Sequence, residues 1–189
     1  MKTHPSSSVM SKALFLTLCL FFSVFTLFAQ LPQQNEYYLI YAKNSDKVLD
    51  VQGGTQMRGD GVPVQLWEVN QQENQQFRFE PVGNGYYRII ARHSGKGLDV
   101  TGGTCAKGNG TRIQQWSNGN HSNQLFKLVD QGNGYYMIVA KHSDKAIDVY
   151  AGEDRNGTRI VQYEAHGADN QLFRFVRAGR EEAPTGIEY

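Results

Sequence analysis

Cysteine is scarce in this 189-residue chain, which holds two, Cys19 and Cys105. Cys19 lies in an apolar segment near the start. That leaves Cys105 alone in the remainder, where no internal disulfide is possible and the fold must close on its apolar core. No Cys/His cluster has metal-ligand spacing, and no metal or other cofactor is expected. An excess of one charge is also missing. With residues 1–29 set aside, which carry Lys2, Lys12 and no acid, seventeen Lys and Arg face eighteen Asp and Glu. A near-neutral balance without a clustered basic face argues against nucleic acid as a partner. After residue 30, no stretch keeps a helical period long enough to define a helix.

The chain has one long apolar run, from Ala13 to Ala29, preceded by Lys2 and Lys12 and followed by the polar Gln30-Leu31-Pro32-Gln33-Gln34. A positive start, an apolar middle and a small residue before a polar stretch predict a signal peptide over 1–29. A spanning anchor needs about 20 apolar residues, and this run is shorter. The expectation is a secreted protein, extracellular or periplasmic if bacterial, with no membrane span after cleavage. Residues 30–36 read as a short linker and 180–189, with Pro and Gly, as a flexible tail.

An internal repeat organises the rest. Tyr37-Tyr38 returns 49 residues later as Tyr86-Tyr87 and after another 49 as Tyr135-Tyr136. The copies span 37–85, 86–134 and 135–179, and the third is two residues shorter between its Asp and its later aromatic, a deletion expected in a loop. Each copy alternates short β-branched and aromatic segments with turn signals, which predicts strands. In the first copy these fall at about Tyr37 to Ala42, Val48 to Val51, Val64 to Glu68 and Gln76 to Pro81. Asn84-Gly85 and Asn133-Gly134 mark tight hairpins between copies, because both residues tolerate the positive φ of a type I′ turn. About twelve short strands in three copies predict an all-β fold in which the copies share one closed barrel, leaving no exposed edge.

Three sets of residues are unusual for strands and turns. Asp50, Asp99 and Asp148 sit in Leu-Asp-Val or Ile-Asp-Val, where alternation points the apolar neighbours inward and the carboxylate outward. Trp67, Trp116 and Tyr163 follow alternating segments, while Phe77, Phe126 and Phe173 already supply an interior aromatic per copy. Asn74-Gln75, Asn123-Gln124 and Asn170-Gln171 bring paired amides. A ring that attracts the C–H face of a pyranose, an acid that accepts from two hydroxyls and an amide that both donates and accepts make a sugar site. A plainer reading of each Asp is a cap on the following turn.

The order Asp, Gln-x-Trp, Asn-Gln-x-aromatic, three times over residues 37–179, resembles the ricin B-chain-type lectin family, a β-trefoil. The resemblance implies that Asp and Asn bond a sugar of galactose type or a related glycan, that the aromatic stacks on it and that the first Gln assists. The corresponding residues are Asp50, Gln65, Trp67, Asn74 and Gln75 in the first copy. In the second they are Asp99, Gln114, Trp116, Asn123 and Gln124, and in the third Asp148, Tyr163, Asn170 and Gln171. Val161 replaces the assisting Gln in the third copy, which is expected to be the weakest site. Phe77, Phe126 and Phe173 replace the usual later Trp, and Val48, Gly97 and Ala146 stand where many members carry cysteine, which points to the branch without disulfides. Trp116→Ala or Asp99→Ala is expected to lower avidity and leave thermal unfolding little changed.

No enzyme is expected, since a glycosidase needs two carboxylates facing one bond and the carboxylate of interest appears once per copy. The alternative is a protein-binding trefoil, such as a protease inhibitor acting through loops. Arg58-Gly59-Asp60 matches an integrin-binding tripeptide but aligns with the turn residues Lys107-Gly108-Asn109, so a turn explains it.

Overall fold

The structure is a computed structural model that describes residues 31–179. The expected signal peptide over 1–29 and the tail over 180–189 lie outside the described residues. Each repeat contributes four strands. They are β1 Tyr38–Ala42, β2 Val48–Val51, β3 Val62–Trp67 and β4 Gln76–Gly83, then β5 Tyr86–Ala91, β6 Gly97–Val100, β7 Thr111–Trp116 and β8 Phe126–Asp130. The third repeat gives β9 Tyr136–Ala140, β10 Ala146–Val149, β11 Ile160–Tyr163 and β12 Phe173–Arg177. A single 3₁₀ turn, Glu73–Gln75, Ser122–Gln124 or Asp169–Gln171, precedes each fourth strand.

The all-β fold expected from the repeat, and the trefoil that the family resemblance implies, are observed, but the twelve strands do not share one barrel. Six close a ring by antiparallel pairing in the order β1, β4, β5, β8, β9, β12 and back to β1. The other six form three hairpins, β2–β3, β6–β7 and β10–β11. These meet one another through β3–β7, β7–β11 and the isolated bridge Gln65–Arg159, and so cap the barrel around a pseudo-threefold axis. Closure pairs most strand edges within the protein.

Local sequence explains the elements. Asn84 and Gly85 have φ of 52° and 75°, and Asn133 and Gly134 have 51° and 83°, the left-handed pair that a tight hairpin requires. β3 begins earlier than the apolar alternation suggests, because Val62 and Pro63 pair with Gln115 and Gln114 of the next repeat, a contact invisible within one copy. β4 runs beyond Pro81 to Gly83 across a bulge. The two-residue deletion falls in the loop between β10 and β11. Phe77, Phe126 and Phe173 are fully buried in the main core, joined by Leu49, Leu66, Leu98, Ile113, Ile147 and Ile160 from the cap. Phe79 and Phe175, with ring centroids 4.8 Å apart, fill the barrel with Tyr136 stacked on Phe175 at 5.3 Å. Among the described residues no helix is long and apolar enough to cross a membrane.

Candidate functional site

Pleating places the candidate residues. On β3, Val64 and Leu66 point into the core, which turns Gln65 and Trp67 to the opposite face. Register sets Asp50 of β2 directly across from Gln65, so the ring of Trp67 lies one pleat along the same face as the carboxylate. The same register recurs as Asp99 with Gln114 and Asp148 with Val161. The three rings remain open to solvent, Trp67 at 37%, Trp116 at 43% and Tyr163 at 41%.

The carboxylates behave differently from expectation. Alternation does turn them away from the core, yet Asp50, Asp99 and Asp148 are only 3–4% exposed, because amides fold over them. Asp50 Oδ1 accepts from Gln65 Nε2 at 3.0 Å, while Oδ2 accepts from Asn74 Nδ2 at 2.8 Å and Gln75 Nε2 at 3.0 Å. Asp99 repeats this with Gln114 at 2.9 Å, Asn123 at 2.8 Å and Gln124 at 2.9 Å. Three donors fix the acid in one orientation and offset part of the cost of burying its charge. Asn74 also donates to the Val51 carbonyl, and its Oδ1, like that of Asn123, is buried without a partner among the described residues. Gln75 and Gln124 are essentially buried. Gln75 donates to the Glu68 carbonyl and accepts from Asn70 N–H, and Gln124 donates to Ser117 and accepts from Gly119. They hold the acid and the loop after the ring together. An Asp anchored by three side chains across a hairpin does more than cap the following turn.

The third lobe keeps two of the three donors. Asp148 Oδ2 accepts from Asn170 Nδ2 and Gln171 Nε2, both at 2.9 Å, and Val161 supplies none. A residue absent from the sequence-based set approaches Oδ2, the oxygen the two amides already bond, and leaves Oδ1, which Gln65 and Gln114 bond in the other lobes, without a Gln donor. His166 Nε2 lies 3.7 Å from Asp148 Oδ2, and its ring meets Tyr163 edge-on with centroids 6.2 Å apart. Its Nδ1 accepts from Ala168 N–H, so in the neutral ring the proton sits on Nε2, facing the acid. The only sequence signal was a His three residues after the aromatic, where the other copies have Asn70 and Gly119.

Each ring is braced by its neighbouring lobe. Asp60 Oδ1 accepts from Ser117 N–H at 2.8 Å, Asn109 Oδ1 from Glu164 N–H at 3.1 Å and Asn156 Oδ1 from Glu68 N–H at 3.0 Å. These are the residues just after Trp116, Tyr163 and Trp67, so the mid-copy Asp-Gly and Asn-Gly turns fix the rings' backbone. Asp60 is also paired with Lys96 Nζ at 2.6 Å, which with Ser117 holds its carboxyl below the usual value. The acid of Arg58-Gly59-Asp60 is therefore engaged internally.

Burial pushes the Asp50 and Asp148 carboxyls above the ordinary carboxylate range, against the opposing effect of their hydrogen bonds. The folded protein then holds these protons more tightly than the unfolded chain. Their contribution favours folding as pH falls and is lost as pH rises through the raised values. Any ligand that needs the ionised acid has the opposite dependence. Sugar binding at these two lobes is expected to weaken on acidification at a higher pH than an ordinary carboxylate would give. Glycan binding followed by calorimetry across the acid range, with near-UV circular dichroism to monitor folding, checks this. Loss of binding only together with folding would contradict it. His93, whose pKa burial lowers, acts in the other direction and costs stability in acid, which makes the folding control necessary.

Compared by sequence, residues 24–116, 73–163 and 122–183 match the profile of the ricin-type β-trefoil lectin domain-like family, in three overlapping matches that together cover all three lobes. The chain belongs to that family. Among solved structures this ricin-type domain is similar to a designed threefold-symmetric protein, ThreeFoil, at 41% identity and TM-score 0.71, covering 74% of this chain and 97% of that one. It also resembles an exo-β-1,3-galactanase from Clostridium thermocellum, at 32% identity and TM-score 0.70, over 78% of this chain but 31% of the galactanase. A ricin B-like lectin from Macrolepiota procera, in complex with lactose, shares the fold at 16% identity and TM-score 0.66, over 78% of this chain and 99% of that one. No curated protein matches by sequence. Among the described residues of the ricin-type domain, no group of three or more His, Cys, Asp or Glu is placed to hold a metal ion.

Proposed function

We propose that this protein is a carbohydrate-binding lectin that holds galactose-type or related glycans through its three lobes, without catalysis of its own, and that residues 1–29 direct it out of the cell. The observation that carries this reading is the exposed ring set beside an amide-locked carboxylate, repeated in each lobe. A sugar laid on Trp67 or Trp116 has its C–H face on the indole and its hydroxyls toward the Asp and the Asn. Asn74 and Asn123 each have an unpaired Oδ1, enclosed in the free protein, that a hydroxyl would satisfy once the site opens around it. Gln75, Gln124 and Gln171 act by holding the acid. The galactanase and the lactose-bound lectin, similar in fold, support galactose-type ligands.

One shallow site of this kind is expected to bind in about the millimolar range, near −4 kcal/mol, with useful affinity arising when several lobes engage one polymer. A glycan array on the mature chain, with free galactose as competitor, tests the reading. Binding competed by galactose supports it. Binding to a protein partner that galactose leaves untouched would favour the loop-mediated, inhibitor-like alternative. Val161→Gln restores the third amide, since the same slot accepts Gln65 and Gln114 in the other lobes. It is expected to strengthen the third lobe several-fold, about one neutral hydrogen bond's worth, read from sugar-induced NMR shifts of Tyr163.

A further inference from the structure

The cap hairpins meet around the pseudo-threefold axis through three equivalent positions, Pro63, Arg112 and Arg159. Pro63 pairs with Gln114, Arg112 with Val161 and Arg159 with Gln65, each reaching the following lobe. At this mouth lies a small hollow of about 60 Å³, lined by Arg112, Arg159, Gln52 and Gln65 together with Pro63, Val64 and Gly157. A single water needs about 10–15 Å³ of such space, so the hollow has room for one compact oxyanion group. Its lining holds two cations, two amides and no acid. Arg159 is pre-set, its guanidinium lying 3.9 Å over the ring of Tyr150, which is peculiar to the third lobe. Neither arginine forms an ion pair among the described residues. In a chain near neutrality overall, this is a local concentration of positive charge with planar donor geometry suited to sulfate or carboxylate oxygens.

The hollow adjoins a sugar site. Gln65 lines it and also donates to Asp50 at the centre of the first lobe. We infer that the axis mouth is an anion-binding site, in which Arg112 and Arg159 take the sulfate ester or carboxylate of an acidic glycan whose neighbouring sugar is held at Trp67. The carbohydrate half of this inference rests on the lectin reading above, and the anion half stands on the arginine pair alone.

The test uses the mature chain, the variants R112Q/R159Q, R112K/R159K and W67A, and four probes: inorganic sulfate, a neutral galactan, a sulfated galactan and a galacturonan. Thermal unfolding confirms that each variant folds, and both arginines are exposed. Sulfate is expected to bind the parent and W67A alike and to weaken about tenfold or more in R112Q/R159Q, in keeping with loss of charge-assisted hydrogen bonds. The lysine pair, keeping charge but not the planar fork, is expected to fall between. The ratio of acidic to neutral galactan binding is expected to drop by a similar factor in R112Q/R159Q. Which acidic polymer carries the preference separates a sulfate ester from a carboxylate. Arginine-dependent sulfate binding without binding of any galactan supports the anion site and removes the galactose-type reading of the lobes. Sulfate binding and acidic preference unchanged in R112Q/R159Q would overturn the inference.

Discussion

Replacing both Trp67 and Trp116 by alanine is expected to reduce avidity for an immobilised glycan by about 100-fold or more, since two of three lobes lose their stacking surface and multivalent gains of that order are lost with them. Both rings are more than a third exposed and lie outside the core, so the unfolding free energy is expected to fall by about 1 kcal/mol or less. Surface plasmon resonance on a glycan surface, with thermal unfolding of the same samples, measures both. A large stability loss with binding retained would mean that the indoles serve packing alone.

Asp99→Ala should behave otherwise. The carboxylate accepts from Gln114, Asn123 and Gln124 while almost fully buried, so its removal leaves three donors without their acceptor. Each unsatisfied buried group costs about 1–3 kcal/mol, less where water can enter, and a total loss of about 2 kcal/mol is expected together with loss of the second lobe's binding. From the sequence alone this variant was expected to lose binding without losing stability, and the buried geometry revises that. Denaturant unfolding is the check. An unchanged midpoint would show the amide cluster to be energetically slack.

The difference between the two variants shows where the sequence was legible. The 49-residue period, the Asn-Gly hairpins and the alternation around Asp50 and Gln65 are local patterns, and they suffice for the strands, the threefold all-β fold and the face on which Asp, Gln and ring lie, while the trefoil itself comes with the family resemblance. Contacts between copies were not legible. The division into a six-stranded barrel and a cap depends on β3, β7 and β11 meeting at the axis, and nothing in one repeat reveals that Pro63 pairs with Gln114. Gln115 and Gln162 read as ordinary polar residues. In the structure they are fully buried, each donating to two carbonyls of the preceding lobe's loop, Met57 and Gly59 or Ala106 and Gly108. In the first lobe the position is Leu66, so one interface of the three is apolar where the others are hydrogen-bonded. The burial of the acids is illegible in one repeat's pattern for a similar reason. Period-two alternation tells which face a side chain takes, but not that amides twenty-odd residues later fold across it.

The chain holds two tryptophans, Trp67 and Trp116, so indole emission reports from those two lobes and nowhere else. Titrating the folded protein with galactose, lactose and a panel of neutral oligosaccharides is predicted to give a saturable shift of that emission at about millimolar sugar. Emission indifferent to every sugar of the panel would leave the trefoil standing and contradict the claim that these rings are where a glycan rests.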